Sequence, residues 1–157
     1  MGTDQEKIAN RARMWGLVVF SMTAGIWDMV EESSVSLSPI IGEQLLKMAE
    51  KQLGLEIAGE SPEHIMVELG RIFVDEYGFC SSAQTDVSGN TIKVVLAHAV
   101  GVPEFKLLMD MGVEKPFSHP FMCAGLAALA RLGRRARPTL ELDVTNQTYT
   151  ITFEMLS

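Results

Sequence analysis

A chain of 157 residues, 47% hydrophobic and 21% charged, fits one domain with its own core. Twenty acidic against thirteen basic residues give a net charge of −7, which argues against a nucleic-acid-binding face. The two cysteines, Cys80 and Cys123, form no disulfide framework and match no zinc-finger spacing, so a reducing, cytoplasmic setting is expected.

The first element is the apolar run "MWGLVVFSMTAGIWDMV", residues 14–30. Lys7, Arg11 and Arg13 precede it, as the charged region precedes the apolar region of a signal peptide. The run stops at Asp28, short of the ~20 residues a membrane span needs. Periodicity gives the better account. Ile8, Ala12, Trp15, Val19, Met22, Ile26 and Met29 follow at alternating steps of four and three, a heptad seam. Leu17, Val18, Phe20 and Trp27 widen the apolar surface beyond one seam. The helix therefore has to bury more than one side. Packing on its own domain and on a second copy does that, and so does burial as a central helix within one chain; a homodimer through this helix is expected. Residues 1–35 form this N-terminal helical unit and 36–157 the remaining structural unit.

Two further helices carry the same punctuation. Ser38-Pro39 opens one and Gly54 closes it; Ser61-Pro62 opens the next and Gly78 closes it. Ile41, Leu45 and Met48 share a face of the first, and Ile65, Leu69, Ile72 and Phe73 a face of the second. The period then changes to two. Residues 81–87, the turn at 88–90 and "TIKVVLAHAV" at 91–100 make one hairpin. Leu140, Leu142 and Val144 alternate with Glu141 and Asp143, and Tyr149, Ile151, Phe153 and Met155 with Thr150, Thr152 and Glu154, around a turn at Asn146-Gln147. Between the hairpins lie a short helical piece, "PEFKLLMDMG", and a helix from Pro120 to about Leu132. The fold class is α+β: three N-terminal helices, then two hairpins forming a four-stranded antiparallel sheet with a covering helix between them.

Chemistry concentrates at two places. Strict alternation places His98 on the greasy face of its strand with Ile92, Val94, Leu96 and Val100. There it needs a hydrogen-bond partner or a ligand. In "FSHPFMCAGLAALARLG", residues 117–133, Ser118 or His119 is the N-cap, and its plain role is a solvent-facing cap. Cys123 lies one turn in, where the helix dipole favours a thiolate; the plain alternative is a small buried hydrophobe. Ala124, Gly125, Ala127, Ala128 and Ala130 make the helix slim. Across a shared hollow, His98, His119 and Cys123 would supply polar contacts, with Phe121 and Met122 as apolar wall. His98 and Cys123 are also candidate ligands for zinc or a haem iron. Met66, Met109, Met111 and Met155 fall around the same interface, and residues 101–116 are a candidate lid. Arg131, Arg134, Arg135 and Arg137 cluster at a helix C-terminus, where they complement the dipole. No phosphate loop, no paired carboxylates with clear placement and no G-x-S-x-G motif occur.

From about Leu37 to Leu156 the chain resembles the 4-vinyl-reductase-like domain family. The resemblance runs through the glycine-aromatic turn "DEYGF" (75–79), the cysteine-led slim helix "CAGLAALARLG" (123–133) and the closing hairpin "PTLELDVTNQTYTITFEM" (138–155). It implies an α+β homodimer that binds a small apolar molecule as a sensory module, related in fold to haem-based nitric-oxide sensors and to a vesicle-tethering subunit family. Cys123 corresponds to the family's helix cysteine; the cysteine often found in the closing hairpin is absent. The expected function is the binding or sensing of a small hydrophobic molecule, a tetrapyrrole or other aromatic among the candidates, by a cytoplasmic homodimer. The alternatives are a metal- or thiol-dependent enzyme using His98 and Cys123, and a ligand-free structural or tethering module.

Overall fold

The computed structural model describes residues 2–157. Thr3 starts helix α1 (Asp4–Val30) with a capping box: its hydroxyl accepts from the Glu6 N–H while the Glu6 carboxylate accepts from the Thr3 N–H. No proline or cap signal interrupts the helix for 27 residues. It ends at Glu31, whose φ of 45° breaks the helical path, and a 3₁₀ stretch, Glu31–Leu37, follows.

Helix α2 (Ser38–Leu53) corrects the reading of its own start. Ser38 does not cap it; the residue is already helical, and its hydroxyl donates to the Phe117 carbonyl at 2.7 Å. The buried face is also different from the expected one. Ser38, Gly42, Leu46 and Ala49 are buried, whereas Ile41 and Met48 are exposed and Leu45 is half-buried. The reason is close approach. A Cβ on Gly42 would stand 1.8 Å from the Cys123 carbonyl oxygen, so the backbones of α2 and α5 touch there. The C-terminus is as expected, with Gly54 left-handed at φ 65°.

Helix α3 (Pro62–Arg71) begins where Ser61 accepts the His64 N–H at 3.1 Å, and it buries Ile65, Met66 and Leu69. A π turn, Ile72–Glu76, extends it and buries Ile72 and Phe73. The strands follow as β1 (Ser82–Ser88), β2 (Thr91–Ala97), β3 (Ala136–Asp143) and β4 (Thr148–Met155). They form one antiparallel sheet in the order β1-β2-β4-β3. Between the hairpins run α4 (Val102–Asp110) and α5 (Pro120–Arg131).

The α+β architecture is that expected, with the helices on one face of an open sheet. Ile92, Val94 and Leu96 of β2 and Tyr149, Ile151 and Phe153 of β4 are buried on the inner face. Lys93 and Glu154 point the other way and are exposed. Helix α5 lies on this inner face with Phe121, Cys123, Ala124 and Leu129 fully or almost fully buried. Its slimness is needed: a Cβ on Gly125 would meet the Phe153 ring at 2.5 Å. Helix α2 packs on α5, and α3 covers β1. Val144 departs from its expected inward position; it lies past the end of β3 and is exposed.

Helix α1 is seated only by its second half. Phe20, Thr23, Ala24 and Trp27 turn toward the body, with Thr23 and Trp27 buried. Phe20 meets Phe105 of α4 edge-on at 4.9 Å, and the Thr23 and Ser118 hydroxyls lie 2.6 Å apart. Residues 4–15 are all exposed. Of the heptad seam, Ile8, Trp15, Val19, Met22 and Met29 are exposed and Ile26 is half-buried. No helix among the described residues is long and apolar enough to cross a membrane.

Candidate functional site

The segment before α5 is tied down by Phe117, which is buried and whose carbonyl takes two hydrogen bonds, from Ser38 Oγ and from Cys123 Sγ at 3.1 Å. Two residues on, His119 adopts the extended conformation (φ −61°, ψ 122°) that a residue before proline prefers. It is the N-cap of α5, as the pattern indicates, but it does not face solvent: it is fully buried. Its Nδ1 accepts the Met122 N–H at 3.3 Å. A neutral imidazole that accepts at Nδ1 carries its proton on Nε2. That Nε2 is buried and has no hydrogen-bond partner.

Aromatic rings surround this imidazole. The Tyr149 ring lies 4.3 Å away, nearly perpendicular; Phe105 lies at 5.2 Å and Phe79 at 5.9 Å. Such rings offer an N–H only the weak acceptance of a π face. Burial drives the His119 pKa from 6.5 down to about 3, so the ring is neutral at physiological pH. The Tyr149 hydroxyl donates to the Val100 carbonyl at 3.2 Å, and burial, assisted by Glu104, raises its pKa.

The other two candidate ligands do not join His119. His98 is not on the greasy face. Strand β2 ends at Ala97, and His98 takes a left-handed φ of 48°. That reverses the alternation: His98 and Val100 are exposed, and Ala99 between them is buried. His98 Nδ1 lies 3.0 Å from Ser81 Oγ, at the solvent-facing end of the sheet. Cys123 is fully buried between α5 and α2. Burial pushes its thiol from 9.0 up to about 12, against the opposing effect of the Ser38 hydroxyl. That shift corresponds to about 4 kcal/mol, whereas a helix dipole contributes about 0.5–1 kcal/mol, so desolvation wins. Cys80 is buried too and its pKa is raised by burial.

This geometry does not fit a zinc ion or a haem iron. His98 and Cys123 share no hollow, and His119 turns an N–H rather than a lone pair outward. Among the described residues no three His, Cys, Asp or Glu side chains converge. Phe121 is a core residue on α5, and Met122, also buried, lines a separate hollow of about 230 Å³ with Val35, Phe117 and Leu140.

The open space lies elsewhere, beside His119. Under the unseated half of α1 runs a cleft of about 490 Å³. Gly16, Leu17 and Phe20 form its roof, and Phe79, Val100 and Phe105 its floor. Ser118 and Pro120, the neighbours of His119, also line it, and Arg13 and Glu104 bring charge to the lining. Phe79 and Pro120 separate it from a smaller apolar hollow of about 190 Å³ near Leu45, Leu69 and Phe73. The candidate lid is a packed helix: α4 buries Val102, Phe105 and Leu108 and gives the cleft its floor rather than a cover. Sequence patterning could have found this place through "DEYGF" and "GVPEF", which bring Phe79 and Phe105 to it, but not that α1 would arch over them.

Arg131 is also more specific than a dipole complement. Its guanidinium donates to both Glu43 and Glu50 of α2 and to the Ile57 carbonyl, and the two carboxylates are held below the usual range chiefly by that contact. It fastens α5 to α2 and stands apart from the cleft.

The chain matches no known family model, and no curated protein matches its sequence.

Proposed function

We propose that this protein binds a small apolar molecule in the cleft between α1 and the α4–α5 floor, and that it does so as a homodimer paired through α1. The cleft carries the reading. Its volume of about 490 Å³ lies inside the ~300–1,000 Å³ usual for small-molecule sites, and its lining is mainly aromatic and aliphatic with few polar groups. The enzyme alternative needs His98 and Cys123 together. The Cys123 thiol is buried with its pKa raised, and His98 is exposed beside Ser81, so that pair is not supplied.

The homodimer rests on the exposed side of α1. Trp15 is 74% and Met29 82% exposed, Val19 and Met22 continue the stripe between them, and Ile8 extends it toward the N-terminus. A helix whose first three turns are exposed throughout is marginal in water unless a partner covers it. Charge selects the partner's orientation. Lys7, Arg11 and Arg13 lie before the uncharged stretch 14–27 and outnumber Asp4 and Glu6 there, and Asp28, Glu31 and Glu32 lie after it. The last turn of α1 contains no basic residue to complement its dipole. An antiparallel second copy sets its basic end against this acidic one and matches the seam to itself. Gly16 and Leu17 then face the ligand while Trp15 and Met22 face the partner, and Val19 lies at the edge of both, so ligand occupancy and pairing act on one helix. That coupling suits a sensor.

Replacing Gly16 tests the cleft. A Cβ there meets nothing closer than the Phe20 ring at 3.9 Å, so the backbone at Gly16 accepts a side chain, and Gly16→Leu projects into the cleft and removes a helix-weakening glycine. In equilibrium dialysis, uptake of 2-ethylnaphthalene by the wild type should be lost in Gly16→Leu, with the melting temperature unchanged or raised. Equal uptake by the two proteins sinks the cleft reading. A wild type that runs at 17.3 kDa by native mass spectrometry across micromolar concentrations sinks the homodimer.

A further inference from the structure

We propose that His119 is the polar anchor of the cleft: its Nε2–H donates a hydrogen bond to an acceptor oxygen of the bound molecule, which is therefore an apolar carbonyl compound. This rests on the cleft reading above and narrows the ligand within it. A fully buried donor with no acceptor costs about 1–3 kcal/mol. His119 Nε2 is the one buried side-chain nitrogen or oxygen among the described residues left without a partner. It also stands against the cleft wall. Its ring contacts Phe79 and Phe105, which form the floor, and its chain neighbours Ser118 and Pro120 line the same space.

Phe79 gives the way in. Its backbone is fixed from both sides, the N–H donating to the Phe73 carbonyl and the carbonyl accepting from the Val100 N–H, each at 2.8 Å. Its side chain is half-buried and stands between the cleft and the smaller apolar hollow. Rotation of that ring, with the main chain at rest, is the movement the proposal requires to bring the cleft to the imidazole.

The chemistry of the imidazole sets the ligand class. Nδ1 is engaged by the Met122 N–H, so the ring has a donor to offer and no acceptor. A ligand that carries only donors gains nothing from it. The ring is neutral and desolvated, so it offers a carboxylate no charge to pair with, and Arg13 at the lining is offset by Glu104. A ketone, aldehyde or quinone oxygen on an apolar frame satisfies the donor and fills the aromatic surroundings.

The test compares 2-acetylnaphthalene with 2-ethylnaphthalene, which share a ring system and differ by the carbonyl oxygen. Equilibrium dialysis gives the ketone-to-hydrocarbon affinity ratio for the wild type and for His119→Phe. That ratio should fall about tenfold in the variant, the loss of one hydrogen bond. In ¹⁵N-histidine-labelled wild type, the Nε2–H resonance of His119 should shift when the ketone is added and stay in place with the hydrocarbon. An unchanged ratio overturns the proposal and leaves the cleft reading standing. Failure of both probes to bind the wild type overturns the cleft reading and this proposal together. Should His119→Phe not fold, the wild-type resonance decides: a shift with the ketone alone supports the donor role, and no shift overturns it.

Discussion

The two sides of this molecule solve the packing problem in opposite ways. Where α2 meets α5, and α5 meets the sheet, contact is so close that Gly42 and Gly125 have no room for a methyl group. Where α1 crosses the same body, only Phe20 to Trp27 are seated, and a cleft of about 490 Å³ opens under the rest. Small residues and shared carbonyls close the first interface; large side chains prop the second apart. The lesson is that apolar content does not tell which interface is solid. Helix α1 carries more large apolar side chains than α2, yet each buries only one, Trp27 in α1 and Leu46 in α2.

The largest expected effect breaks the closed side. Gly42→Val places carbon atoms on the Cys123 carbonyl, 1.8 Å from where the first must sit. We expect a loss of about 3 kcal/mol or more, enough to abolish cooperative urea unfolding of a marginal domain. Near-wild-type stability would mean that α2 and α5 are further apart than described.

Next comes His119, which lies at the boundary between the two sides. Its pKa is 6.5 in an ordinary setting and about 3 here. The unfolded chain therefore binds the proton first as pH falls. Stability is whole above pH 6.5 and is lost progressively toward pH 3, at about 1.4 kcal/mol per pH unit. Between pH 6.5 and pH 4.5 the expected loss is about 2–3 kcal/mol by urea titration. Glu43 and Glu50, held below 4.5 by Arg131, add a smaller loss that begins only at the acid edge of that window. His119→Phe should flatten the pH dependence, and a slope that survives in it assigns the proton elsewhere.

The smallest effect on the fold comes from the open side. Trp15→Glu changes a residue that touches no core. Its unfolding free energy in dilute solution should stay within about 0.5 kcal/mol of wild type, while the native mass falls to that of one chain. A dimer that persists in Trp15→Glu assigns pairing to another surface.

Local signals were legible wherever they were backbone chemistry. Ser61-Pro62 opens α3, Gly54 closes α2, and Gly89 at φ 60° turns the first hairpin, each at the place its residue type requires. Signals failed where the outcome turned on proximity. Period two carried His98 inward, but nothing local marks the left-handed φ of 48° that turns it out. Helical spacing chose Ile41 and Met48 for the buried face of α2, whereas close approach chose Ser38 and Gly42. The position of Cys123 in the first turn of α5 suggested a thiolate, and desolvation made it a thiol.

The sequence by itself determined the α+β class, the order of helices and hairpins and the chain positions where most of them stop, because caps, prolines, glycines and periodicity act over one or two turns. Only the tertiary structure decided that His119 is sealed among three aromatic rings, that Cys123 and His98 never meet, and that the open volume lies under α1. Those outcomes depend on distances between segments far apart in the chain, and on the loss of water around each group. Neither quantity is written in any single stretch of residues.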